Sequence, residues 1–312
     1  MTMKTSGILI VDKPPQLSSA QLISRIKRIS GISKIGHSGT LDPMATGVMV
    51  CGVNQATRLF QFFTDRPKKY VAAVTLGVET DTLDATGNIM ASRPFDMVSE
   101  QSVQDACRRF EGEIDQIPPA YSALKYKGTP LYKYARRGTP VTKPSRKILI
   151  SGIRILGISL PEVRIEVECS SGTYIRTLCA DIGDVLGCGG HLSALKRIEC
   201  GGYNIRDALS LEHIASHRSL ETLAGRLISM SDALPEMQAA MADAGLAEKI
   251  RHGKILSVID LPAGAQTEAN PSIGYEGFPP VKIIDQDHRL LAVVRRDENK
   301  DRYNYCCVFC NP

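Results

Sequence analysis

No run in the 312 residues approaches the roughly 20 consecutive apolar positions of a membrane-spanning helix. The stretch Gly7-Ile8-Leu9-Ile10-Val11 meets Asp12 and Lys13 too soon to serve as the apolar region of a secretory signal. Both absences predict a cytoplasmic protein with no membrane partner. The marks of common cofactor chemistry are missing too: there is no G-x-x-x-x-G-K-[ST] phosphate loop and no G-x-G-x-x-G fingerprint. None of the six histidines stands in His-x-Glu or His-Glu-x-x-His, so zinc deaminase and zinc protease chemistry lack a ligand set. The nine cysteines are odd in number and follow no framework, which predicts reduced thiols. Cys307-Val-Phe-Cys310 has metal-like spacing but no second pair nearby, so these are read as bystanders. Neither a metal nor a cofactor is expected.

A further absence is local. Residues 116–147 hold no Asp or Glu but eight Lys and Arg, among them Lys125, Lys127, Lys133, Arg136 and Arg137. That window alone carries +8 whereas the whole chain carries +5, so the remainder is net acidic. Four of the ten tyrosines, Tyr121, Tyr126, Tyr132 and Tyr134, interleave with these cations. Cations that neutralise phosphates beside rings that stack on bases predict a nucleic-acid surface. The competing reading is a solvated lysine-rich loop.

The composition, 43% hydrophobic and 23% charged, is that of an ordinary globular protein. A strand at residues 8–11 leads to a helix at 20–30, with Leu22, Ile23, Ile26 and Ile29 as its apolar stripe and Gly31 as its stop. Residues 70–76 read as a strand and 100–110 as a helix. The basic window, punctuated by Pro and Gly, reads as an extended insertion. Strands follow at 147–158 and 164–169, the latter alternating with period two, then a helix at 177–186 and a polar helical region at 211–247. Short β-like pieces close the chain. The expected fold is α+β: a mixed, mostly antiparallel sheet with flanking helices in residues 1–245, and a small β unit in 246–312.

Two loops share their wording. GHSGTLDPMATG spans residues 36–47 and DTLDATG spans 81–87. Asp42 before Pro43 could simply begin a helix, since Asp is a favoured cap and Pro a favoured first residue. Against that stand Gly36, Gly39 and Gly47, which allow close backbone approach to a ligand, and His37, whose ring could stack on a base. Asp81 and Asp84 read most simply as turn formers. Gly36-His-Ser-Gly39 also matches the short clamp of a KH module, without KH-like flanks. After the alternating strand comes Ser170-Ser-Gly-Thr-Tyr174-Ile-Arg176. If the chain is still extended there, Tyr174 and Arg176 point to one side. An arginine beside Asp42 is expected to lower its pKa, as suits a nucleophile.

Taken in order, GILIVDKP, GHSGTLDPMATG, KKYVAAVTLG with TDTLDATG, QIPPAYSALKYKG with LYKYARRG, SSGTYIRTLCADIGDVLG and HLSALKRIECGGYNIRDAL resemble the bacterial tRNA pseudouridine synthase B family. Members of that family isomerise the T-loop uridine at tRNA position 55. The resemblance covers residues 7 to about 209. It implies a pseudouridine-synthase-like fold, with Asp42 as the nucleophile and the second loop as support or substrate contact. Tyr70 would stack on the target base, and Tyr174 and Arg176 would line the pocket, Arg176 pairing with Asp42. His37 would contact the T-loop, while Lys13, Pro14 and Leu195 would wall the pocket. It further implies a flipped-out uridine, no cofactor, the tRNA T-arm as partner, a monomer without an obligatory protein partner, and a PUA-like RNA-binding C-terminal barrel. Attack at C1′, attack at C6 and proton abstraction towards a glycal all suit such a carboxylate. The alternatives are a non-catalytic RNA-binding protein and an RNA-assembly factor with synthase activity. The second usually carries a long lysine-rich tail, which this chain lacks.

Overall fold

The computed structural model describes residues 5–63, 65–217, 219–262 and 278–309. Gly7–Lys13 is a strand buried on both faces, which explains its unbroken apolar run. Leu9 and Val11 join one core, Ile8 and Ile10 another. This strand opens a nine-stranded sheet. Across it follow Thr46–Val53, Gly190–Cys200, Lys68–Leu76, Glu162–Cys169, Arg146–Ser159 and Gly112–Gln116, with two short strands, Ile35–His37 and Tyr203–Asn204, on its flanks. Neighbours run antiparallel except where Lys196 and Arg197 pair in parallel with Thr46 and Gly47.

The helices Ser19–Ser30, Glu100–Arg108 and Ile175–Val185 cover one face through Leu22, Ile26, Val103, Leu178 and Ile182. Each of the first two begins at a serine capping box, Ser18 with Gln21 and Ser99 with Ser102. Gly31 ends the first in the left-handed conformation at φ 69°. Among the described residues no helix is long and apolar enough to cross a membrane.

A second sheet of five strands packs on the opposite face at the Gly7–Lys13 and Thr46–Val53 edge. Its order is Ala239–Met241, Val281–Ile284, Leu290–Arg296, Arg302–Val308 and Leu256–Ser257. It draws its first strand from upstream of Leu246, and that residue lies within the helix Ala244–Arg251. Ile284, Leu290, Val293, Cys307 and Phe309 pack with Ile8, Ile10, Val48 and Val50 in one continuous core. Buried Lys282 strengthens the join by donating to Ser231 O at 2.9 Å and Leu234 O at 2.8 Å. Cys307 is buried, and Cys310 lies outside the described residues.

The polar stretch expected to be helical across 211–247 is only partly so. Leu211–His217 and Leu220–Leu223 are short helices, followed by turns and a strand. The basic insertion is likewise less extended than expected. Lys125–Tyr126 and Thr129–Pro130 form a minimal hairpin around Lys127 and Gly128, whose positive φ values of 46° and 79° suit a tight turn. One helical turn, Leu131–Ala135, follows, and its Leu131 is fully buried.

Gly47 owes its identity to packing between strands rather than to ligand approach. It has φ +102°, and a Cβ there would lie 2.2 Å from Arg197 O. Gly31 is also left-handed but faces open space. Gly47→Ala is therefore expected to cost roughly 2–5 kcal/mol from backbone strain and overpacking together. Gly31→Ala adds only the left-handed penalty, about 1–2 kcal/mol. Urea midpoints of the two variants check the difference, and equal losses would refute the packing explanation.

Candidate active site

Asp42 lies in an irregular loop before the strand Thr46–Val53 and does not start a helix; its carbonyl accepts from Ala45 N at 3.1 Å in a single turn. Ser19, at the start of its helix, accepts from Leu41 N at 2.9 Å and donates to Leu41 O at 3.0 Å. The next carbonyls are held by Lys13, whose Nζ donates to Pro14 O at 3.0 Å, Pro43 O at 3.2 Å and Ala45 O at 2.6 Å. Buried Arg197 bonds both flanks of the loop, Gly39 O at 3.2 Å and Val48 O at 2.7 Å. Two buried cations thus satisfy the loop's carbonyls and leave the Asp42 carboxylate to other partners. Burial pulls the Lys13 pKa down to about 8, with Arg197 acting the same way and Asp42 opposing.

The chief partner of that carboxylate is Arg176. The guanidinium Nε lies 2.9 Å from Asp42 Oδ2, close in distance though not aligned as a hydrogen bond, and Nη2 donates to Oδ1 at 3.4 Å. Nη1 donates to Thr82 O at 3.0 Å and Nη2 to Tyr121 O at 2.8 Å. On its other side Nη1 stands 3.7 Å from Asp84 Oδ2. The arginine side chain is 5% exposed and Asp42 34%, so only one end of this cluster faces outward.

The echo loop is closed. Asp84 Oδ1 accepts from Thr82 Oγ1 at 2.8 Å, Thr86 N at 3.0 Å and Thr86 Oγ1 at 2.6 Å. Leu192 N donates to Leu83 O, and Ala85 N to Leu192 O, which stitches the loop to the strand Gly190–Cys200. Asp84 is buried with Oδ1 committed to three donors, and its Oδ2 faces Arg176. The only sequence signal for this role was the repeated Thr-Leu-Asp wording.

Arg176 was expected to hold the Asp42 pKa down. The direction is the reverse: burial raises it, Arg176 opposes, and the like charge of Asp84 adds to the rise. The correction comes from desolvation and from a second carboxylate that sequence spacing did not reveal.

Tyr174 and Arg176 do not share an extended strand. Tyr174 is extended, at φ −97° and ψ 107°, but caps the helix Ile175–Val185, and Arg176 is that helix's second residue. The Tyr174 ring lies under the Arg146 guanidinium at 4.8 Å. Tyr70 is buried on the strand Lys68–Leu76, opposite Arg197, and burial pushes its phenol up to about 12. Leu195 is buried opposite Ala72, in the same core as Tyr70. His37 ends the short strand Ile35–His37, and its buried Nδ1 has no geometrically aligned hydrogen-bond partner among the described residues. Burial, aided by Arg197, lowers its pKa and favours the neutral ring, while a backbone bond at Gly39 opposes. Pro14 gives its carbonyl to Lys13. The sequence pattern passed over Arg197, a cation inside the strand Gly190–Cys200 that joins the Asp42 loop to Tyr70.

In the insertion, Lys125, Lys127, Lys133, Arg136 and Arg137 are exposed. The tyrosines contact one another and the cations. Tyr126 and Tyr134 meet edge-on at 5.9 Å, Lys127 and Lys143 stand over Tyr126, and Arg136 stands over Tyr132.

Comparison with known proteins identifies the family. Residues 27–175 match the model of the TruB family pseudouridylate synthase N-terminal domain, and residues 176–235 match the tRNA pseudouridylate synthase B C-terminal domain. The chain is 45% identical over 247 residues to tRNA pseudouridine synthase B of Syntrophus aciditrophicus, covering 79% of each chain. With the Syntrophobacter fumaroxidans protein of the same name it shares 39% over 289 residues, 92% of each. Among solved structures it resembles a chain of a Cbf5-Nop10-Gar1 complex, with TM-score 0.73 and 25% identity over 98% of this chain and 86% of that one. A chain of an archaeal box H/ACA Nop10-Cbf5 complex, 23% identical, shares the fold at TM-score 0.72 over 98% of this chain and 87% of that one. The chain belongs to the TruB family of tRNA pseudouridine synthases, isomerases that rebuild uridine as its carbon-linked isomer.

Proposed function

We propose that this protein converts uridine 55 in the T-loop of tRNA to pseudouridine, with Asp42 as nucleophile acting on a flipped-out base. The observation that carries this reading is the Asp42–Arg176 pair, in which a partly open carboxylate is oriented by a buried guanidinium. In the reaction the N1–C1′ bond breaks, the uracil turns, and a C5–C1′ bond forms. The C5 proton leaves to solvent and N1 gains one. Nothing is oxidised, reduced or transferred to a second molecule, so the step requires no electron carrier or group donor.

A uridine within a folded loop must be extruded at a cost of a few kcal/mol. Stacking on Tyr70, whose hydroxyl stays protonated, and contacts from Tyr174, His37, Leu195, Lys13 and Pro14 would offset that cost. Lys125, Lys127, Lys133, Arg136 and Arg137 would hold the T-arm phosphates. We further propose that residues 246–312 act as a PUA-like module that grips RNA, with Arg251, His252 and Lys254 exposed for the task. Asp42, Asp84 and Arg176 meet within one chain, so the site needs no residue from a second copy, and the proposal is of a cytoplasmic monomer without an obligatory protein partner.

Asp42→Asn should abolish tritium release from uracil-5-labelled tRNA transcript while leaving tRNA binding within about threefold, since the amide keeps the shape and loses the nucleophile. Release by the variant would end the nucleophile assignment. The raised pKa of Asp42 places the acid limb of the pH–rate profile above the range of a free aspartate. Asp84→Asn removes a like charge and should move that limb to lower pH, with a lower plateau because Arg176 loses a restraint. A limb that stays in place would exclude Asp84 as an influence on Asp42. Neutralising Lys125, Lys127, Arg136 and Arg137 together should reduce the salt dependence of tRNA affinity by about 0.7–0.9 per lost phosphate contact. An unchanged slope would return the segment to a solvated loop.

A further inference from the structure

The basic insertion leaves and re-enters the sheet at two paired residues. Gln116 ends the strand Gly112–Gln116, Arg146 begins the strand Arg146–Ser159, and the two lie opposite each other. Both hold Tyr174. Gln116, 1% exposed, accepts from Tyr174 N through Oε1 at 2.8 Å and donates to Tyr174 O through Nε2 at 3.0 Å. One side-chain amide therefore occupies both backbone groups of the residue that caps the Arg176 helix. Arg146 covers the Tyr174 ring and donates to Gly172 O. Five positions beyond Gln116, Tyr121 gives its carbonyl to Arg176. The root of the insertion thus holds the Tyr174 backbone, covers its ring and reaches Arg176.

We propose that Gln116, with Arg146 opposite it, is a positioning residue that fixes Tyr174 and Arg176, so that the insertion's hold on RNA and the geometry of the Asp42–Arg176 pair are mechanically joined. The proposal rests on Asp42 and Arg176 as the reacting centre. Tyr174 N sits at a helix start, where no intrahelical acceptor reaches it, so its orientation depends on an outside partner. An apolar residue of the same length would fill the space but leave Tyr174 N unmet, while Tyr174 O would keep only its bond from Leu178 N at 3.1 Å. Gln116 touches neither of the two carboxylates, and its effect must pass through the chain it holds.

The test compares Gln116→Ala, Gln116→Glu, Tyr174→Ala and the Gln116→Ala/Tyr174→Ala double variant, using single-turnover tritium release, tRNA affinity and thermal midpoint. Gln116→Ala should slow the single-turnover rate about 10–100-fold, the scale of a small misplacement, with affinity within about threefold. Because Gln116 holds the backbone of residue 174, which Tyr174→Ala keeps, adding Gln116→Ala to that variant should still slow the reaction about tenfold or more through Arg176. The carboxyl introduced by Gln116→Glu can both accept from Tyr174 N and donate to Tyr174 O only while protonated. Its rate relative to wild type should therefore rise on acidification, and this readout remains should the alanine variant fail to fold. A wild-type rate in Gln116→Ala, no further loss when Gln116→Ala is added to Tyr174→Ala, or a pH-independent ratio for Gln116→Glu would each overturn the proposal. Activity in Asp42→Asn would overturn the site itself, whereas an inactive Asp42→Asn beside wild-type-like Gln116 variants would overturn only the positioning role.

Discussion

A single buried guanidinium organises the site. Arg176 is removed from water, and three separate segments meet its guanidinium: Asp42, the Thr82–Asp84 turn and the Tyr121 carbonyl. Taking such a charge out of water costs several kcal/mol, and breaking a buried pair by removing one partner typically costs about 3–5 kcal/mol. The segments are therefore interdependent. The same cluster that holds the backbone together keeps one carboxylate facing outward, and stability and reactivity draw on the same contacts.

The two loops with common wording take opposite roles because their surroundings differ. Around Asp42 the backbone carbonyls are met by Lys13 and Arg197, so the aspartate is not needed as a turn former. Around Asp84 the side chain closes its own loop through Thr82 and Thr86 and has little left to offer a substrate. Two carboxylates on one arginine also repel each other. That repulsion, together with burial, raises the Asp42 pKa and makes its carboxylate more basic than a solvated one.

The sheet carries this arrangement because both its faces are covered at the Gly7–Lys13 and Thr46–Val53 edge. Helices pack on the face that bears Tyr70 and Leu195, and the second sheet packs on the reverse through Ile8, Ile10, Val48 and Val50. Lys282 ties the second sheet to the turn at Ser231 and Leu234, and Arg58, from the segment Asn54–Phe62 after the strand Thr46–Val53, lies over the Phe309 ring and bonds Val308 O. The C-terminal unit is thereby part of the support beneath the strands that hold the Asp42 loop.

Much of this was legible in the chain. Period-two and helical spacings marked the Glu162–Cys169 strand and the Ser19–Ser30 and Glu100–Arg108 helices, since which face a residue presents follows from local geometry. The acid-free window marked the insertion, and the ordered motifs marked Asp42 and Arg176 as partners. Other features depended on distant encounters. Arg176 meets Asp42 across 134 positions and Arg197 meets Gly39 across 158, and no local pattern encodes such a pairing. The sequence by itself determined which groups could react and which segments would be strand, helix or basic loop, because those depend on residue type and short-range spacing. Only the tertiary structure decided which of two like loops stays open, which way the Asp42 pKa moves, and which amide holds Tyr174, because each of these is set by burial and by partners that folding alone brings within reach.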